Sequence, residues 1–368
     1  MAAWFERLYA KVAPEIGIDL GTANTPVFVR GYGIRFVEPT VVAVNLDSGE
    51  IITVGEGAKQ MLGKTPRNIA VIRPMRNGVV SNFAYTEALV RQLIERALRG
   101  KPLVPPRVMV GVPGSATEVE KKAVREAALA AGAGRVYFLP QAIAAAVGSG
   151  LPILEPGANT IVDIGGGTTE IAVLSLGGLV AGRSLKLGGD RLDEAIIAFL
   201  RANRGFLVGE RTAEALKISH GYYGRPVGRE PVRVPGQDLR KLRPGTLEVR
   251  EEDVGAAIAE PIGQIVDAIR AVIEQTPPEL VRDIGERGLV LAGGGASIAG
   301  LAQTLSLVLS IPARIADTPL LCVALGAGEI LANPRLFDAL YPVPQSLIGR
   351  WWRFLRSGMK ESSSYSSR

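Results

Sequence analysis

The chain has 368 residues, too many for one compact core and enough for two α/β domains. A net charge of +6 permits an anionic partner such as a membrane surface, but no basic block interleaved with aromatic residues lies in the body of the chain, which argues against nucleic acid. The single histidine, His220, argues against His-dependent triads and His-rich metal sites, and the single cysteine, Cys322, excludes an intrachain disulfide.

The first twelve residues predict an amphipathic helix with Trp4, Phe5 and Leu8 on one face, at about 100° per residue. Such a helix suits the interface of a membrane, or it docks on its own domain. Residues 1–15 lack the hydrophobic region of a signal peptide, and no stretch reaches the roughly 20 apolar residues of a transmembrane helix. We therefore expect the protein to remain in the cytosol.

A pattern of strand, turn and strand occurs twice. One apolar run ends in Asp19 and continues through Gly21, small hydroxyl and amide residues and a second β-rich run. The other ends in Asp163 and continues through Gly165–Gly167, two threonines and another β-rich run. Glycines let the backbone N–H groups of such a turn converge on an anion, and the aspartate can hold a hydrated cation. One copy alone would suit an ordinary hairpin equally well, but two copies favour two similar halves that clamp a nucleotide phosphate chain and its metal.

Each copy has a related strand and turn downstream. Residues 108–112 predict a strand that leads into Pro113-Gly114-Ser115 and a helix. Residues 289–292 predict another that leads into Gly293–Ala296 and a helix. These segments extend the internal repeat, which implies a cleft between the halves.

The helix after Ser115 has two candidate capping boxes, Ser115 with Glu118 and Thr117 with Glu120. Its small-residue face, suited to packing on a sheet, is predicted to include Val119. Further helices are predicted over residues 84–99, 209–218, 251–275 and 319–332, and hairpins over 221–250.

Gln141 stands where a strand predicted over residues 135–139 meets an alanine-rich helix. Folds of the α/β class place active groups beyond strand ends, although a polar residue at a helix start is the simpler interpretation. Leu103 and Val104 lie in a loop flanked by prolines. Such apolar loop residues insert into a bilayer or a partner, or fold back onto the core.

The C-terminal tail repeats the amphipathic pattern of the N-terminus. Trp351, Trp352 and Leu355 fall on one face, with Arg350 and Arg353 opposite. Trp on the apolar face and Arg on the polar face are typical of a helix that lies in a lipid interface, where each basic residue adds about 1 kcal/mol. The alternative is a helix that packs on a partner protein.

The loops resemble the nucleotide motifs of the actin, Hsp70 and sugar-kinase superfamily. Asp19–Thr25 is similar to its first phosphate motif, Asp163–Thr169 to its second and Leu291–Ser297 to its adenosine motif. Within this superfamily the chain resembles the MreB family of bacterial actins from about residue 15 to residue 332. The segments that carry this resemblance are Ile16-Gly-Ile-Asp-Leu-Gly-Thr-Ala-Asn-Thr25, Ile72-Arg-Pro-Met75, Thr117-Glu-Val-Glu-Lys-Lys-Ala-Val-Arg-Glu-Ala-Ala128, Gly209-Glu-Arg-Thr-Ala-Glu214 and Thr276-Pro-Pro-Glu-Leu280.

The resemblance implies an α/β, actin-like fold, with two duplicated halves around a nucleotide cleft and a small subdomain inserted in each. It also implies ATP with Mg²⁺, and paired antiparallel protofilaments on the inner face of the cell membrane. There they would guide cell-wall synthesis and cell shape together with membrane proteins of cell-wall elongation such as RodZ. The implied subdomains are IA (residues 15–32, 67–145 and 315–333), IB (33–66), IIA (146–185 and 248–314) and IIB (186–247), between an N-terminal membrane segment (1–14) and a basic tail (334–368).

The resemblance also assigns roles to individual residues. Asp19 and Asp163 would hold Mg²⁺ through water, Gln141 and Thr168 would act on the attacking water, and Leu103 and Val104 fall where the family has a membrane-inserting loop. The residues implied to bind the nucleotide are Thr22, Ala23, Asn24, Gly165, Gly166, Gly167 and Thr168 at the phosphates and Glu210, Arg211, Thr212, Ala213, Glu214, Lys217, Gly293, Gly294, Gly295 and Ala296 around the adenosine. For Glu210, Glu214 and Lys217, a solvated charged face of a helix is the simpler interpretation.

The chain departs from the family at three places. Where the family has Ile-Glu-Glu-Pro-Met-Ala-Ala-Ala, this chain has Leu139-Pro-Gln-Ala-Ile-Ala-Ala-Ala146, so Gln141 replaces the glutamate that activates water. An amide orients water but cannot accept its proton, and we expect hydrolysis to be slowed rather than lost. Pro26 replaces an apolar residue after the first loop, and typical members lack the tail.

Three rival functions share the fold. A small-molecule kinase needs a catalytic carboxylate that faces an acceptor hydroxyl, and none is evident near Gln141. A chaperone of the Hsp70 type needs a peptide-binding domain, which about 35 residues of tail cannot supply. A filament scaffold that binds ATP with little or no hydrolysis is the remaining alternative.

Overall fold

The structure is a computed structural model and describes residues 9, 12–76, 78–98, 100 and 102–341. Two predicted membrane segments therefore cannot be compared with it. The residues concerned, which lie outside the described ranges, are Trp4, Phe5, Leu8, Trp351, Trp352 and Leu355.

The first half of the chain is built on one large sheet. The strands of this half of the chain are β1 (Glu15–Asp19), β2 (Asn24–Val29), β3 (Gly33–Pro39), β4 (Val42–Asn45), β5 (Ile51–Val54), β6 (Ile69–Ile72), β7 (Met75–Arg76), β8 (Val79–Val80), β9 (Arg107–Val112) and β10 (Arg135–Pro140). The large sheet has the order β3-β2-β1-β9-β10, in which β1 is antiparallel to β2 and parallel to β9. A small sheet joins β5, β4 and β6. Because β3 pairs with β2, the insertion expected at residues 33–66 would begin after β3.

The second half repeats this architecture. Its strands are β11 (Asn159–Ile164), β12 (Thr169–Ser175), β13 (Gly178–Leu185), β14 (Phe206–Leu207), β15 (Val232–Asp238), β16 (Arg243–Val249), β17 (Leu289–Ala292) and β18 (Ala313–Ile315). The large sheet has the order β13-β12-β11-β17-β18, and β11 is antiparallel to β12 and parallel to β17. A small sheet again accompanies it, β14-β15-β16. Since β1 and β11 have equivalent neighbours, the predicted duplicated actin-like fold is confirmed.

Helices cover the sheets and connect them. They are α1 (Glu56–Met61), α2 (Phe83–Leu98), α3 (Glu118–Ala130), α4 (Gln141–Gly148), α5 (Gly189–Arg204), α6 (Glu210–His220), α7 (Glu251–Glu274), α8 (Pro278–Arg287), α9 (Leu301–Leu309), α10 (Cys322–Ala332) and α11 (Pro334–Leu340). Short 3₁₀ turns span Gly294–Ser297 and Pro319–Leu321.

The start of α3 is set by one of the two candidate capping boxes. The side chain of Thr117 accepts a hydrogen bond from the backbone N–H of Glu120, whose carboxylate accepts one from the N–H of Thr117. Two otherwise unsatisfied donors are thus bonded, so the helix begins after Thr117 rather than after Ser115. The expectation that Val119 packs on the sheet is wrong, because this side chain is 78% exposed and the buried face of α3 is formed by Val124, Ala127 and Ala128.

The two halves share a hydrophobic core that includes Met109 of β9, Ile161 of β11 and small residues of α4 and α10. Helix α4 leads from the first sheet to the second, and α10 returns to pack on β1 of the first. The helices approach so closely that a Cβ on Gly326 of α10 would overlap the carbonyl oxygen of Ala144, and one on Gly148 would overlap that of Cys322. Backbone contact between α4 and α10 therefore joins the halves.

The described C-terminal residues pack on the first half. Helix α11 places Phe337 at 5.1 Å from the ring of Tyr137 on β10, and the Tyr341 hydroxyl donates to the carbonyl oxygen of Phe138. The buried guanidinium of Arg107, paired with Glu15 at 2.7 Å, lies 4.9 Å from the ring of Phe337. Residues 334–341 thus belong to the folded body, and the tail expected from residue 334 would begin after them.

No single helix among the described residues is long and apolar enough to cross a membrane. The segments Pro319–Ala332 and Pro334–Leu340, bent by 101°, could do so together by length and composition only. Most residues of the helix Cys322–Ala332 are buried, several of them in the shared core.

Two glycine substitutions should have opposite effects on the free energy of unfolding, because only the one between α4 and α10 meets packed backbone. Gly326→Ala should lower the free energy of unfolding by about 3 kcal/mol, because the added Cβ meets rigid backbone. Gly263→Ala, inside α7 where a Cβ meets nothing within 4 Å, should raise it by about 0.5–1 kcal/mol. Urea unfolding midpoints test both, and a Gly326→Ala midpoint at or above that of the unmodified protein would contradict the packing described here.

Candidate functional site

The two predicted phosphate loops meet between the halves. The first joins β1 to β2, and the second joins β11 to β12. A Cβ on Gly166 would lie 2.7 Å from the Cβ of Ala23 and 3.0 Å from its backbone nitrogen, so the loops approach this closely only because residue 166 is glycine. A third segment joins them, because the N–H of Gly78 donates to Thr22 Oγ1 at 3.1 Å. Turns from both halves thus converge, as an anion-binding backbone cradle requires.

The second loop is anchored to the start of α5. The N–H of Gly165 donates to the carbonyl oxygen of Thr168 at 2.8 Å, which closes the turn. The carbonyl oxygens of Gly165 and Gly166 accept hydrogen bonds from the N–H groups of Gly189 and Asp190, at 2.9 and 2.8 Å. Because four backbone groups are fixed in this way, the loop is held in shape without a ligand.

The turn at Gly293 completes the cleft on the side of the second sheet. Gly293 has a φ of 78°, and a Cβ there would lie 2.5 Å from Asp163 Oδ1. A side chain at this position would therefore be strained and would also collide with the carboxylate. The predicted adenosine segment Gly293–Ala296 consequently begins beside the end of β11.

Of the two predicted metal-binding carboxylates, Asp163 is buried and Asp19 is partly buried. Loss of hydration raises the pKa of Asp19 to about 7, and a hydrogen bond from Gln141 opposes this shift. Burial, followed by the charges of Asp19 and Glu170, raises the pKa of Asp163 well above its ordinary range. Two carboxylates in such surroundings favour a nearby cation, since it offsets their repulsion.

This donor set fits a hydrated Mg²⁺. In the part of the chain that the structure describes, no group of three or more His, Cys, Asp or Glu side chains could hold a metal ion directly. Mg²⁺ usually keeps several waters and binds one or two carboxylates together with substrate phosphates. Asp19 and Asp163 supply that number of carboxylates.

Gln141 lies at the first position of α4, and its Nε2 donates to Asp19 Oδ1 at 2.9 Å. The predicted catalytic residue therefore contacts a predicted metal ligand. The side chain of Thr168, the other predicted catalytic residue, lies beside Gly78, whose N–H bonds Thr22 of the first loop, because a Cβ on Gly78 would lie 2.9 Å from Thr168 Cγ2. Both residues are buried, with 7% and 6% exposed.

The charged face of α6 does not form ion pairs within its own helix among the described residues. Glu214 pairs with Lys59 of α1 at 3.4 Å, and Glu210 pairs with Arg73 at 3.6 Å. Lys217 pairs with Asp193 of α5 at 2.9 Å and also donates to the carbonyl oxygen of Gly189. The intrahelical pairing that the simpler interpretation expected is therefore wrong, whereas Glu210 is 65% exposed to solvent.

Three predicted adenosine residues differ in their surroundings. Ala213 and Ala296 are fully buried in the hydrophobic core of the second half, so they would reach a ligand with backbone atoms alone. Arg211 is exposed and has no ion-pair partner in the described ranges. Unlike these three residues, Glu210 and Glu214 form ion pairs across the cleft, and Lys217 bonds the backbone of Gly189 beside the second loop.

Sequence reasoning missed a contact between the halves at Glu170. This residue is 4% exposed, accepts a hydrogen bond from the backbone N–H of Gly114 at 3.1 Å, and accepts one from Ser184 Oγ at 2.5 Å. Burial raises its pKa, and the two hydrogen bonds oppose that shift. Only its place next to the second threonine of the loop could have drawn attention to it.

The predicted membrane loop lies at the amino ends of the parallel strands of the first large sheet. Strands β1, β9 and β10 are parallel and in register at Glu15, Arg107 and Arg135, and the loop precedes β9. Leu103 is fully exposed and Val104 is partly buried. Since Asp19 and Gln141 lie at the carboxyl ends of β1 and β10, the nucleotide loops and the membrane loop are at opposite ends of these strands.

Comparison with known proteins places the chain among bacterial shape-determining proteins. A family model described as MreB/Mbl protein matches residues 13–338. The chain is 46% identical to the cell shape-determining protein MreB of Escherichia coli (strain K12) over 324 residues, which cover 86% of this chain and 93% of that protein. It is 41% identical to the cell shape-determining protein Mbl of Bacillus subtilis (strain 168) over 321 residues, covering 87% and 96%.

Solved structures agree with this comparison. MreB5 of Spiroplasma citri bound to ADP superposes with a TM-score of 0.85 at 29% identity, covering 90% of this chain and all of that one. The same protein bound to AMPPNP gives a TM-score of 0.82 at 30% identity, covering 86% and 96%. A MamK double helical filament shares the fold, with a TM-score of 0.74 at 21% identity, covering 87% and 99%. The chain belongs to the MreB/Mbl family of bacterial actins.

Proposed function

We propose that this protein is an ATP-dependent cytoskeletal filament protein that lies on the inner face of the cell membrane and directs cell-wall synthesis and cell shape. The observation that carries the nucleotide part is the approach of the two loops, in which Gly166 leaves no room for a Cβ beside Ala23. The names of the curated relatives support the cellular role, and the nucleotides bound to the Spiroplasma citri protein support the ligand class.

The nucleotide would bind with its phosphates between the two loops and its adenosine beside α6 and the Gly293 turn. Mg²⁺, held by Asp19 and Asp163 through water, would neutralise charge on the phosphates. The phosphate-binding residues would be Thr22, Ala23, Asn24, Gly165, Gly166, Gly167 and Thr168. The ribose and adenine would contact Glu210, Arg211, Thr212, Ala213, Glu214, Lys217, Gly293, Gly294, Gly295 and Ala296.

Hydrolysis would be slow because Gln141 orients water without removing its proton. Its amide N–H is directed to Asp19, and Thr168 would help to hold the water. The same hydrogen bond supports a second candidate function, a scaffold that binds ATP with little or no hydrolysis. An amide N–H that bonds Asp19 is not available to orient the attacking water. In both cases bound ATP, rather than its cleavage, would support assembly.

The partner that we propose first is the protein itself, in paired antiparallel protofilaments. An anionic membrane would bind the loop at Leu103, where a fully exposed leucine follows a proline. Membrane proteins of cell-wall elongation such as RodZ would bind the filament. These roles correspond to a peripheral protein on the cytoplasmic side of the membrane.

Electron microscopy of the purified protein on anionic liposomes tests this function. With ATP and Mg²⁺ we expect paired filaments on the lipid. Leu103→Ser should reduce lipid binding by up to about thirtyfold, since full burial of a leucine side chain contributes about 2 kcal/mol. Leu242→Ser is the matched control, because Leu242 is also exposed but lies in the turn between β15 and β16 of the second half. Bare liposomes and monomeric protein with both ATP and ADP would contradict the proposal.

A glutamate at position 141 should accelerate hydrolysis. Gln141→Glu supplies a carboxylate that can accept the proton of water, and we expect single-turnover phosphate release to rise about tenfold or more. Gln141→Ala is the control, because it removes the orienting amide and should slow release. Equal rates for Gln141→Glu and the unmodified protein would remove this residue from the reaction.

The raised pKa values of Asp19 and Asp163 predict a pH-dependent stability. The folded protein binds more protons than the unfolded chain above about pH 4, so without nucleotide and Mg²⁺ its stability should fall as the pH rises through about 7. Asp163→Asn removes the buried charge and should stabilise the nucleotide-free protein at about pH 8 by about 1 kcal/mol or more.

Urea midpoints at about pH 6 and about pH 8 measure this effect. Asp267→Asn, at a carboxylate that is 77% exposed, is the matched control and should change neither midpoint. Addition of ATP and Mg²⁺ should stabilise the unmodified protein more than Asp163→Asn. A variant that is less stable than the unmodified protein at both pH values would show that the carboxylate of Asp163 is stabilising by itself.

A further inference from the structure

Three ion pairs connect the two halves at the cleft. Lys59 Nζ lies 3.4 Å from Glu214 Oε1, and Arg73 lies 3.7 Å from Asp190 Oδ1 and 3.6 Å from Glu210 Oε2. Both cations belong to the first half, on α1 and directly after β6. All three carboxylates belong to the second half, at the starts of α5 and α6. This clasp, defined by these five residues, therefore has one sign of charge on each side.

The direct ion pairs of the clasp all cross the cleft. In the second half, Arg211 lies next to Glu210 in sequence but forms no ion pair among the described residues, and Lys217 is paired with Asp193 and bonded to the carbonyl oxygen of Gly189, although its charge also acts on Asp190. Among the described residues, Lys59 and Arg73 likewise have no ion-pair partner within the first half. The contacts that these five charged side chains make with one another are therefore lost when the halves separate.

Two of the three ion pairs of the clasp are partly buried. The side chains of Lys59 and Glu214 are 31% and 29% exposed, and those of Arg73 and Asp190 are 25% and 29% exposed, whereas Glu210 is 65% exposed. By contrast, both side chains of the pair of Arg282 and Glu286 on α8 are exposed, at 83% and 63%. Partly buried pairs are screened less than fully exposed ones but still reach solvent, so the clasp resists separation and weakens as the ionic strength rises.

The clasp lies next to the nucleotide loops. The backbone N–H of Asp190 donates to the carbonyl oxygen of Gly166 in the second loop. Glu210 and Glu214 share α6 with Lys217, which bonds Gly189 beside that loop. A nucleotide that sits between the loops and against α6 leaves by separation of the two halves, and this separation breaks the ion pairs.

We infer that Lys59 and Arg73 are positioning residues that close the cleft over bound nucleotide and set its rate of release. They act through Asp190, Glu210 and Glu214, not by contact with the reacting atoms. The inference rests on the proposed nucleotide-binding function. It makes release sensitive to ionic strength, because salt weakens the attraction across the cleft.

Release of a fluorescent ATP derivative, chased with excess unlabelled ATP in a stopped-flow instrument, tests the inference. Lys59→Glu and Arg73→Glu replace attraction by repulsion and should each accelerate release about three- to tenfold. Lys59→Arg keeps the charge and should release at the rate of the unmodified protein. Lys64→Glu is the matched control, because Lys64 is exposed, follows the same helix and has no ion-pair partner among the described residues.

A charge exchange separates the ion pair from a general effect on structure. Asp190→Arg, at a residue outside the proposed nucleotide contacts, should also accelerate release, and the double variant Arg73→Glu with Asp190→Arg should be slower than either single variant. Raising salt from about 50 mM to about 500 mM should accelerate release from the unmodified protein more than from Arg73→Ala.

Two results would overturn the inference while leaving nucleotide binding in place. One is release from Lys59→Glu and Arg73→Glu at the rate of Lys64→Glu, and the other is a double variant as fast as the faster single variant. A different result, failure of the unmodified protein to bind the derivative with Mg²⁺, would overturn the proposed function and this inference with it.

Discussion

The arrangement of the two halves depends on backbone contact between α4 and α10. Neither Gly148 nor Gly326 could carry a side chain, because a Cβ would overlap a carbonyl oxygen of the other helix. These helices are also the two chain crossings between the sheets, and α4 begins with Gln141 at the cleft. A small change in their separation would therefore move the predicted catalytic residue, the loops and the shared core together, because close packing that leaves no free volume transmits such shifts.

The second constraint is the burial of carboxylates where the halves meet. Asp163 and Glu170 are 6% and 4% exposed, and Asp19 is 2.9 Å from the amide of Gln141. Burial of ionised groups opposes folding unless a cation or several donors compensate. Glu170 has two donors, Ser184 and the backbone of Gly114, whereas the described residues offer Asp163 no hydrogen-bond donor. The fold thus keeps an electrostatic cost at Asp163 that a hydrated cation would relieve, which is how a binding site couples its ligand to the stability of the protein.

The repeat made much of this fold predictable from sequence. The runs that end in Asp19 and Asp163 were sufficient to predict the paired loops because the same pattern of strand, aspartate, glycine and strand occurs twice, whereas one copy would suit an ordinary hairpin equally well. The pairs of Lys59 with Glu214 and of Arg73 with Asp190 were not predictable, since patterns reveal neighbours three or four residues apart and these partners are far apart in the chain. The exposed Val119 shows the same limit. Apolar spacing identified a helix, but only the position of the sheet decides which face is buried.

Three kinds of contact close the cleft, and they respond to different conditions. The glycine loops set how near the halves can come, and steric contact of this type does not depend on salt or pH. The bond from Gly114 to Glu170 ends on a buried carboxylate, so solvent ions screen it less than they screen an exposed ion pair. The ion pairs of Lys59 and Arg73 are partly exposed and are the contacts that salt weakens first. Geometry of closure is therefore fixed by packing, whereas the time spent closed is set by charge, and the two properties can change independently through mutation.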